Sequence, residues 1–374
     1  MQAVEEGRVS FGVDGAFYRR ETRIVRDLGV LAGWVYRQQV GALRVLDGMT
    51  GCGVRSLRYG AESGASWVWA NEGNPDLRGL LEENLKGAIA SGRCKLTFEN
   101  AHRVFFHCYS EQDYYDLVDV DCFGSAAPYF TTALWAVKIG GLLYLTSTDG
   151  RSATGHLPSK SLQDYGAFAR SHPAAHEQGL RLLLGALQQE AASRGMGIEP
   201  IFSLYRSNTY RVMVRLGAKV RLTPQNYGFL GYCHHCGDYQ GVAWEKLGRS
   251  VCLRDERPLT LTGPMWLGEL GDRTFLNLMR SSSLPHLDSS LPRLLDLLQA
   301  EVDFPPYFYT LQAIGKRGKL DLPPKAQLIQ ALQAQGHRAT ATHLNPQGLK
   351  TTASLATCIA VARGILGKKN RLEI

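Results

Sequence analysis

The sequence of 374 residues predicts an α/β protein with a doubly wound, mostly parallel sheet, an antiparallel last strand and a smaller α+β domain behind it. Short apolar segments alternate with helical segments over the first 200 residues or so. Two apolar segments, 200–206 and 209–216, are then joined by two residues only, so they must pair antiparallel. From about residue 217 this alternation stops. We therefore predict a first domain at 1–220 and a second at 221–374.

The elements of the first domain follow in order. Predicted strands lie at 43–47, 66–70, 95–99, 116–120 and 142–146, and a helix fits between each pair. Asn74 and Pro75 are typical of an N-cap and a first helical residue, and leucines at 77, 80, 81 and 85 give the helix after them one apolar face. A long helix covers about 174–194. A parallel five-stranded unit closed by an antiparallel hairpin is the outline of a class I S-adenosylmethionine-dependent methyltransferase, although fold alone does not establish function.

The second domain begins with a stretch rich in cysteine and glycine. A helix is expected at 290–301, and two helices split by a prolyl turn are expected within 305–336. The segment 338–354 is basic and has little apolar periodicity. Residues Tyr307, Phe308 and Tyr309 are expected to fill core rather than to stack on bases.

Composition excludes several classes of protein. No apolar run approaches the roughly 18–20 residues that span a membrane. The first twenty residues contain Glu5, Glu6 and Asp14 and no apolar signal-peptide core. We expect a cytoplasmic protein with reduced thiols, without a membrane partner, and monomeric. The net charge of +8 is compatible with a nucleic-acid partner but does not require one.

A glycine-rich loop, LDGMTGCGVRS, follows the first strand. The strand ends at Asp47, and Gly51 and Gly53 then allow the backbone to approach a ligand closely. A dinucleotide fingerprint requires a third glycine, where this chain has Ser56, so NAD is disfavoured. The alternative is that these glycines form an ordinary turn and do not mark a ligand site.

Polar residues after the next two strands favour a ligand. Glu72 ends the second strand about 20 residues after the loop, where a carboxylate meets ribose hydroxyls in such folds. Asn100, followed by Ala101, comes after the third strand and is a candidate to hydrogen-bond an adenine. Together with the loop, these residues predict a nucleoside-containing cofactor.

The fourth strand runs directly into an acidic residue in DLVDVDCFGSAAPYF, residues 116–130. Ligands of open α/β sheets bind beyond the carboxyl ends of the strands, so Asp121 is expected to face the substrate. A carboxylate there accepts the proton of an exocyclic amine or stabilises its developing positive charge, and Phe123 stacks on an extruded base. The alternative is that Asp121 caps the next helix and Phe123 fills core.

At this point the sequence resembles the tRNA guanine-26 N2-dimethyltransferase family over nearly its whole length. The segment AFYRRETRIVRDLGVLA is similar to the family's "FYNP … NRDLS", LDGMTGCGVRSLRYG to its cofactor loop, and DCFGSAAPYF to "DP(Y/F)GSPAPF". The segments YLTSTDG, YGAFARSHPAAHEQGLRLLLGAL, GPMWLGEL and PPYFY … HLNPQGLKT follow in the family's order.

This resemblance implies roles for particular residues. Arg26 and Arg55 would contact the methionine end of S-adenosylmethionine, and Glu72 and Asn100 would hold its adenosine. Asp121 would engage guanine N2, and Phe123 would stack on the base. The implied activity is N2-methylation of a tRNA guanine, with position 26 as the expected target and one or two methyl groups transferred.

The chain departs from the family pattern at three positions. Cys122 replaces a proline that would rigidify the loop, Arg19 replaces the asparagine of FYNP, and Asn100 stands where an aspartate is usual. Two alternatives therefore stay open. One is an exocyclic-amine methyltransferase acting on ribosomal RNA or DNA, and the other is a non-enzymatic RNA-binding homologue.

Cysteines in the second domain suggest a metal site. Cys233 and Cys236 form a CxxC pair, followed by Cys252 and Asp255, the last at the position of a fourth cysteine. These four residues, with His234 or His235 as substitutes, are candidate zinc ligands. From the sequence alone, a loop that packs without metal is favoured over zinc.

The second domain also carries scattered basic residues. We expect them to contact the tRNA backbone because of the resemblance, since scattered charge alone is typical of any solvated face. They are Lys316, Arg317, Lys319, Arg338, His343, Lys350, Lys368, Lys369 and Arg371.

Overall fold

The computed structural model describes the backbone of residues 3–372 and the side chains of residues 3–367. The helices are α1 Arg23–Val40, α2 Val54–Ala61, α3 Arg78–Ala90, α4 Ala101–Ser110, α5 Phe130–Ala136, α6 Gly150–Ala153, α7 Pro158–Tyr165, α8 Ala175–Ala192, α9 Arg273–Ser281, α10 Leu291–Ala300, α11 Leu311–Gly318, α12 Lys325–Ala334 and α13 Leu355–Leu372. The strands are β1 Ala3–Glu6, β2 Val9–Gly12, β3 Arg44–Asp47, β4 Trp67–Asn71, β5 Cys94–Thr97, β6 Tyr115–Asp121, β7 Val137–Ser147, β8 Gly197–Arg206, β9 Thr209–Gly217, β10 Tyr227–Tyr232, β11 Tyr239–Val242, β12 Thr260–Trp266, β13 Tyr309–Thr310, β14 Ala339–Ala341 and β15 Gly348–Thr351.

The main sheet has seven strands in the order β5-β4-β3-β6-β7-β9-β8. The first five are mutually parallel, and β9 lies antiparallel between β7 and β8, which confirms the predicted sheet. The chain reverses its direction across the sheet between β3 and β6, so a crevice opens at their carboxyl ends. The candidate site residues after β3, β4, β5 and β6 all belong to this edge.

Apolar clusters cover both faces of the sheet. On one face α1 packs with α9 and α10, for example through Leu28, Phe275 and Leu295. On the other face α4, α5 and α8 pack together, and the same cluster continues into β10, β12 and the C-terminal helices. Helices α9 and α10, which follow residue 221, thus cover the sheet of the first predicted domain. The division at 220 and 221 stays a prediction.

Two small sheets lie beyond the main one, in the orders β11-β10-β12 and β13-β15-β14. Helices α10, α11 and α12 confirm the three helices predicted between 290 and 336. The basic segment 338–354 contains β14 and β15, which the sequence pattern did not predict, because each strand is only three or four residues long. Phe308 and Tyr309 are buried, as expected of core residues.

The expected tRNA contacts of Lys350 and His343 are wrong. Lys350 has no exposed surface, and its ammonium donates to Oε1 of Glu177 in α8 at 2.6 Å. The imidazole of His343 is likewise buried, with Nδ1 2.9 Å from Oε1 of Glu301. Both residues join elements in the interior because long polar side chains can be buried when a partner satisfies them. The side chains of Lys368, Lys369 and Arg371 lie outside the described residues.

Candidate active site

The glycine loop connects β3 to α2 at the crevice. Gly51 and Gly53 have φ angles of 57° and 83°, which L side chains rarely adopt, so glycine is required at both. The backbone N–H of Gly51 donates to Oε2 of Glu72 at 2.8 Å. The other carboxylate oxygen of Glu72 accepts from the N–H of Asn74 at 3.0 Å. The loop and the end of β4 therefore form one connected rim, and Glu72 lies beside Gly51 as the cofactor prediction requires.

Asp47 lies fully buried beneath this loop. Its Oδ2 accepts hydrogen bonds from Thr50 Oγ1 at 2.8 Å and from Ser56 Oγ at 2.7 Å. Its Oδ1 is buried without a hydrogen-bond partner in the described part of the chain. Burial and the nearby charge of Asp119 raise the pKa of Asp47 to about 7. Ser56, which replaces the third glycine of a dinucleotide fingerprint, thus anchors the carboxyl group at the end of β3.

Asn100 begins α4. Its Oδ1 accepts from the backbone N–H of His102 at 2.9 Å, so the side chain serves as the N-cap of the helix, and Ala101 is the first helical residue. A neighbouring residue, Asn71, was not anticipated. Its buried amide donates to the carbonyl oxygens of Gly48 and Glu99 at 3.1 and 3.0 Å and ties the ends of β3, β4 and β5 together. The adenine contact of Asn100 stays a prediction.

Arg26 faces the N-terminal hairpin of β1 and β2. Its Nε donates to Oε1 of Glu6 at 2.7 Å, a second ion pair joins Nη2 to Glu6, and Nη1 donates to Thr22 at 2.6 Å. Arg58 shares Glu6 and also pairs with Glu62. All three nitrogens of Arg26 are thus bonded within the protein, and its predicted contact with the methionine end of the cofactor stays a prediction.

Asp121 ends β6 between two arginines. Its Oδ2 accepts from Arg55 Nη2 at 2.7 Å, and its Oδ1 accepts from Arg211 Nη2 at 3.3 Å. Arg55 also donates from Nη1 to Asp119 Oδ2 at 3.0 Å. Since Asp119 and Asp121 are two residues apart in a strand, both face the same side of the sheet as α2. Asp121 therefore does not cap the following helix, and that alternative is wrong.

The two arginines determine the charge of Asp121. Burial alone would raise its pKa, but the charges of Arg55 and Arg211 outweigh burial and hold the pKa well below its usual range. The carboxylate is therefore ionised throughout the neutral range. It can accept hydrogen bonds from a substrate and stabilise positive charge, but it has little tendency to retain a proton.

Phe123 projects from the turn after β6. Its side chain is 74% exposed, so the alternative in which it fills core is wrong. The ring of Phe17 lies edge-on to it, with 5.0 Å between ring centroids and 77° between planes. An exposed aromatic pair beside an ionised carboxylate offers stacking and hydrogen bonding to a flat, amine-bearing group.

The sequence analysis missed Arg211 and Phe17. Arg211 is aligned with Thr146 across β9 and β7, and Thr146 with Asp121 across β7 and β6. The available signal was that Arg211 is one of two arginines within the mostly apolar segment TYRVMVRL, but its pairing partner cannot be known before the strand order. Phe17 precedes α1 and meets Phe123 only through the fold.

The four candidate metal ligands come together in the second part of the chain. One ligand atom from each of Cys233, Cys236, Cys252 and Asp255 lies within 4.8 Å of the others. The sulfurs of Cys236 and Cys252 are 3.5 Å apart. His235 Nδ1 is 2.7 Å from Oδ2 of Asp255 and so contacts a candidate ligand rather than taking its place. The cluster has the donor set of a three-thiolate, one-carboxylate site.

Comparison with known proteins agrees with this architecture. The family model for N2,N2-dimethylguanosine tRNA methyltransferases matches residues 3–363. The chain is 30% identical to the tRNA (guanine(26)-N(2))-dimethyltransferase of Archaeoglobus fulgidus, with 96% of this chain and 98% of the relative covered. It is 29% identical to the enzyme of the same name from Pyrococcus furiosus, with 93% and 92% covered.

A solved structure agrees as well. The complex of Trm1 from Pyrococcus horikoshii with S-adenosyl-L-methionine has a TM-score of 0.83 and 27% identity, with 96% of this chain and 99% of that chain covered. A likeness over 96% of this chain extends well beyond the main sheet. The chain therefore belongs to the N2,N2-dimethylguanosine tRNA methyltransferase family.

Proposed function

We propose that this protein transfers methyl groups from S-adenosylmethionine to N2 of a guanine in tRNA, at position 26, in one or two successive cycles. The observation that carries the proposal is the ionised Asp121 beside the exposed pair Phe123 and Phe17, at the edge where the glycine loop lies. Family membership favours tRNA over ribosomal RNA or DNA, and over a binding-only role.

The cofactor site fits an adenosine-bearing sulfonium compound. A Cβ at Gly51 would meet nothing nearer than the carbonyl oxygen of Phe17 at 3.9 Å, and the unpartnered Oδ1 of Asp47 provides a buried acceptor beneath the loop. Glu72 is proposed to bind the ribose, Asn100 and Ala101 the adenine, and Arg26 and Arg55 the methionine end. The bound cofactor supplies an activated methyl group.

Asp121 is proposed to orient the guanine amine. The lone pair of an exocyclic amine is delocalised into the base, so the amine is a weak nucleophile. A carboxylate that accepts one N–H bond stabilises the positive charge that develops on nitrogen during transfer. Because Arg55 and Arg211 keep Asp121 ionised, the released proton passes on to solvent, and the carboxylate is ready for a second cycle without titration.

The proposed setting is a monomer in the cytoplasm with tRNA as its partner. None of the helices within residues 3–372 combines the length and apolarity that crossing a bilayer requires.

Methyl transfer from labelled S-adenosylmethionine to unmodified tRNA transcripts tests the proposal. We expect N2-methylguanine at position 26, followed by the dimethylated product when cofactor is in excess, as mapped by nuclease digestion and mass spectrometry. A transcript with adenine at position 26 is the control and should accept no methyl group there. Equal transfer to both transcripts, or to neither, would contradict the proposal.

We further propose that Cys233, Cys236, Cys252 and Asp255 bind Zn²⁺. The sequence alone favoured a loop without metal, and the gathering of four ligand atoms within 4.8 Å supports zinc instead. In a structural site the ion crosslinks the loops before β11 and β12 and would contribute to stability.

Metal analysis of the purified protein is expected to give about one zinc ion per chain. Cys252→Ser should lose the metal and lower the unfolding temperature, whereas Asp255→Cys should retain it, because thiolate is a better zinc ligand than carboxylate. Exposed Leu253→Ser in the same loop is the matched control. Unchanged unfolding temperatures with and without a chelator, together with no bound metal, would refute the site.

A further inference from the structure

A row of aromatic side chains leads away from the catalytic edge along α4 and α5. His102, Phe106 and Tyr109 are spaced i, i+4 and i+7, so they share one face of α4. The ring of His102 stacks on Tyr129, with 4.6 Å between centroids, and Tyr109 stacks on Trp135 at 4.9 Å. Given the rise of 1.5 Å per residue, Tyr109 lies about 12 Å along the helix from its start at the cofactor edge.

The part of this row that lies farthest from the catalytic edge is open to solvent. Phe106 is 51% exposed and Tyr109 is 48% exposed, although each contacts Trp135 or the other ring. Exposed large aromatic residues in a contiguous group are uncommon on surfaces that contact only water. The packing of the core does not require them, because the inner face of α4 is already filled by Val104, Phe105 and Cys108.

A pocket of about 470 Å³ lies beside the row, between α4 and the edge of the sheet at β5. Phe106 lines both the pocket and the aromatic row, and Trp69 forms part of the pocket wall. This volume is within the range of roughly 300–1,000 Å³ that is typical of small-ligand sites. It is large enough for an unstacked nucleotide.

Cations surround both features. Lys95 Nζ lies 3.6 Å from the ring centroid of Trp69, and Arg103 also lines the pocket. Arg194 lies over the ring of Trp135 at 4.7 Å. The carboxylate of Glu99, 3.7 Å from Arg103, is the pocket's acidic member and offers an acceptor to the amino group of a base. Phosphate-binding cations interleaved with stacking platforms are the usual chemistry of single-stranded nucleic-acid sites.

We propose that the surface of His102, Phe106, Tyr109, Tyr129 and Trp135, with the pocket beside it, binds unpaired nucleotides of the tRNA substrate. One base enters the pocket and stacks against Phe106, and its neighbours stack along Tyr109 and Trp135. The surface begins at the catalytic edge, so a strand bound on it continues toward Asp121. The inference rests on tRNA as the substrate but concerns binding, which is measurable without catalysis.

The double variant Phe106→Ala and Tyr109→Ala tests the stacking. Removal of two aromatic rings on which bases would stack is expected to raise the Kd for a tRNA transcript at least tenfold. The Kd for S-adenosylmethionine should stay within about twofold, because neither residue belongs to the proposed cofactor site. Val40→Ala, a 51% exposed apolar residue on α1 across the sheet, is the matched control and should change neither value.

A second variant tests the charges. Lys95→Gln with Arg103→Gln should weaken tRNA binding and make the dependence of log Kd on log salt less steep by roughly one to two. Both variants should keep the unfolding temperature of the wild type to within a few degrees, because the replaced side chains are exposed and lie outside the buried core.

The outcomes separate this inference from the proposed function. Weaker tRNA binding by the variants supports the surface even if the wild type methylates no transcript. Unchanged Kd in both variants, with tRNA bound normally by the wild type, overturns it. A change from dimer to monomer in the double variant without a change in Kd would make the surface an interface between copies and would also overturn it.

Discussion

Replacing Asp121 with asparagine is expected to lower kcat/KM for tRNA at least a hundredfold, since removal of one well-placed group that stabilises transition-state charge costs about 10²–10³ in rate. Asparagine keeps the shape of the side chain but removes the negative charge that faces the guanine amine. The affinity for S-adenosylmethionine is expected to persist, because Gly51, Glu72 and Asp47 are unchanged and Arg55 keeps its ion pair with Asp119. Equilibrium binding of the cofactor and initial rates with tRNA transcripts measure the two effects separately.

Asp113→Asn is the matched control. Asp113 lies just before the other end of β6 and pairs with Arg44 at 2.7 Å, so its replacement also removes an arginine–carboxylate pair. We expect nearly full activity from that variant. Equal loss in the two variants would show that the effect of Asp121 is structural rather than chemical.

The pH dependence gives a second test of Asp121. Arg55 and Arg211 hold the pKa of Asp121 below that of an ordinary aspartate. The carboxylate is therefore fully ionised at pH 5 and above, and it takes up a proton only at strongly acid pH. The rate of methyl transfer by the wild type should therefore show no acid limb from this group between pH 5 and 8. An acid limb that disappears in Asp121→Asn would contradict the assignment of Asp121 as a permanently ionised acceptor.

Replacing Arg58 with methionine is expected to destabilise the protein by about 3–5 kcal/mol, the usual cost of removing one partner from a buried ionic network. Arg58 is completely buried and pairs with Glu6 at 2.9 Å and with Glu62 at 2.8 Å, as well as with buried Asp27. Without the guanidinium, these carboxylates stay in the interior with less compensation. Urea unfolding of the two proteins at pH 8 measures the difference.

Arg78→Met is the control for Arg58. Arg78 pairs with Glu82 on the surface of α3, where both side chains are more than half exposed, and such pairs contribute about 1 kcal/mol or less. The loss in free energy of unfolding of the Arg58 variant should become smaller as the pH falls from 8 to 5, because the buried carboxylates that have lost the guanidinium can take up protons. A loss no larger than that of Arg78→Met would refute the structural role of Arg58.

Much of the catalytic sheet was predictable from the sequence because its signals are local. Each parallel strand contains a short, mostly apolar segment, and the two-residue connection at Ser207 and Asn208 determines the last pairing. Asp121, Phe123 and the glycine loop were found in the same way, since each directly follows a strand. The family resemblance then supplied roles that no local pattern contains.

The residues that were missed depend on contacts between distant parts of the chain. Arg211 meets Asp121 only when β9 lies beside β7, and Phe17 meets Phe123 across more than a hundred residues. The short strands β14 and β15 have no period to detect, and their burial depends on α8. Asn100 was predicted only as an adenine contact, and its role as the N-cap of α4 was missed because a cap and a ligand-binding residue occupy the same position after the strand.

The burial of Lys350 has a consequence for mutational mapping of the tRNA interface. A scan that neutralises lysines one by one treats lost RNA affinity as evidence of a phosphate contact. A neutral residue at 350 instead removes part of the positive charge that balances the buried carboxylate of Glu177, because Lys350 and Arg181 both pair with that carboxylate in the interior. Such a variant would lose affinity for tRNA because it misfolds, and position 350 would wrongly be assigned to the tRNA interface. Lys316 and Lys319, which are exposed at the C-terminal end of α11, are lysines whose neutralisation reports on RNA binding itself.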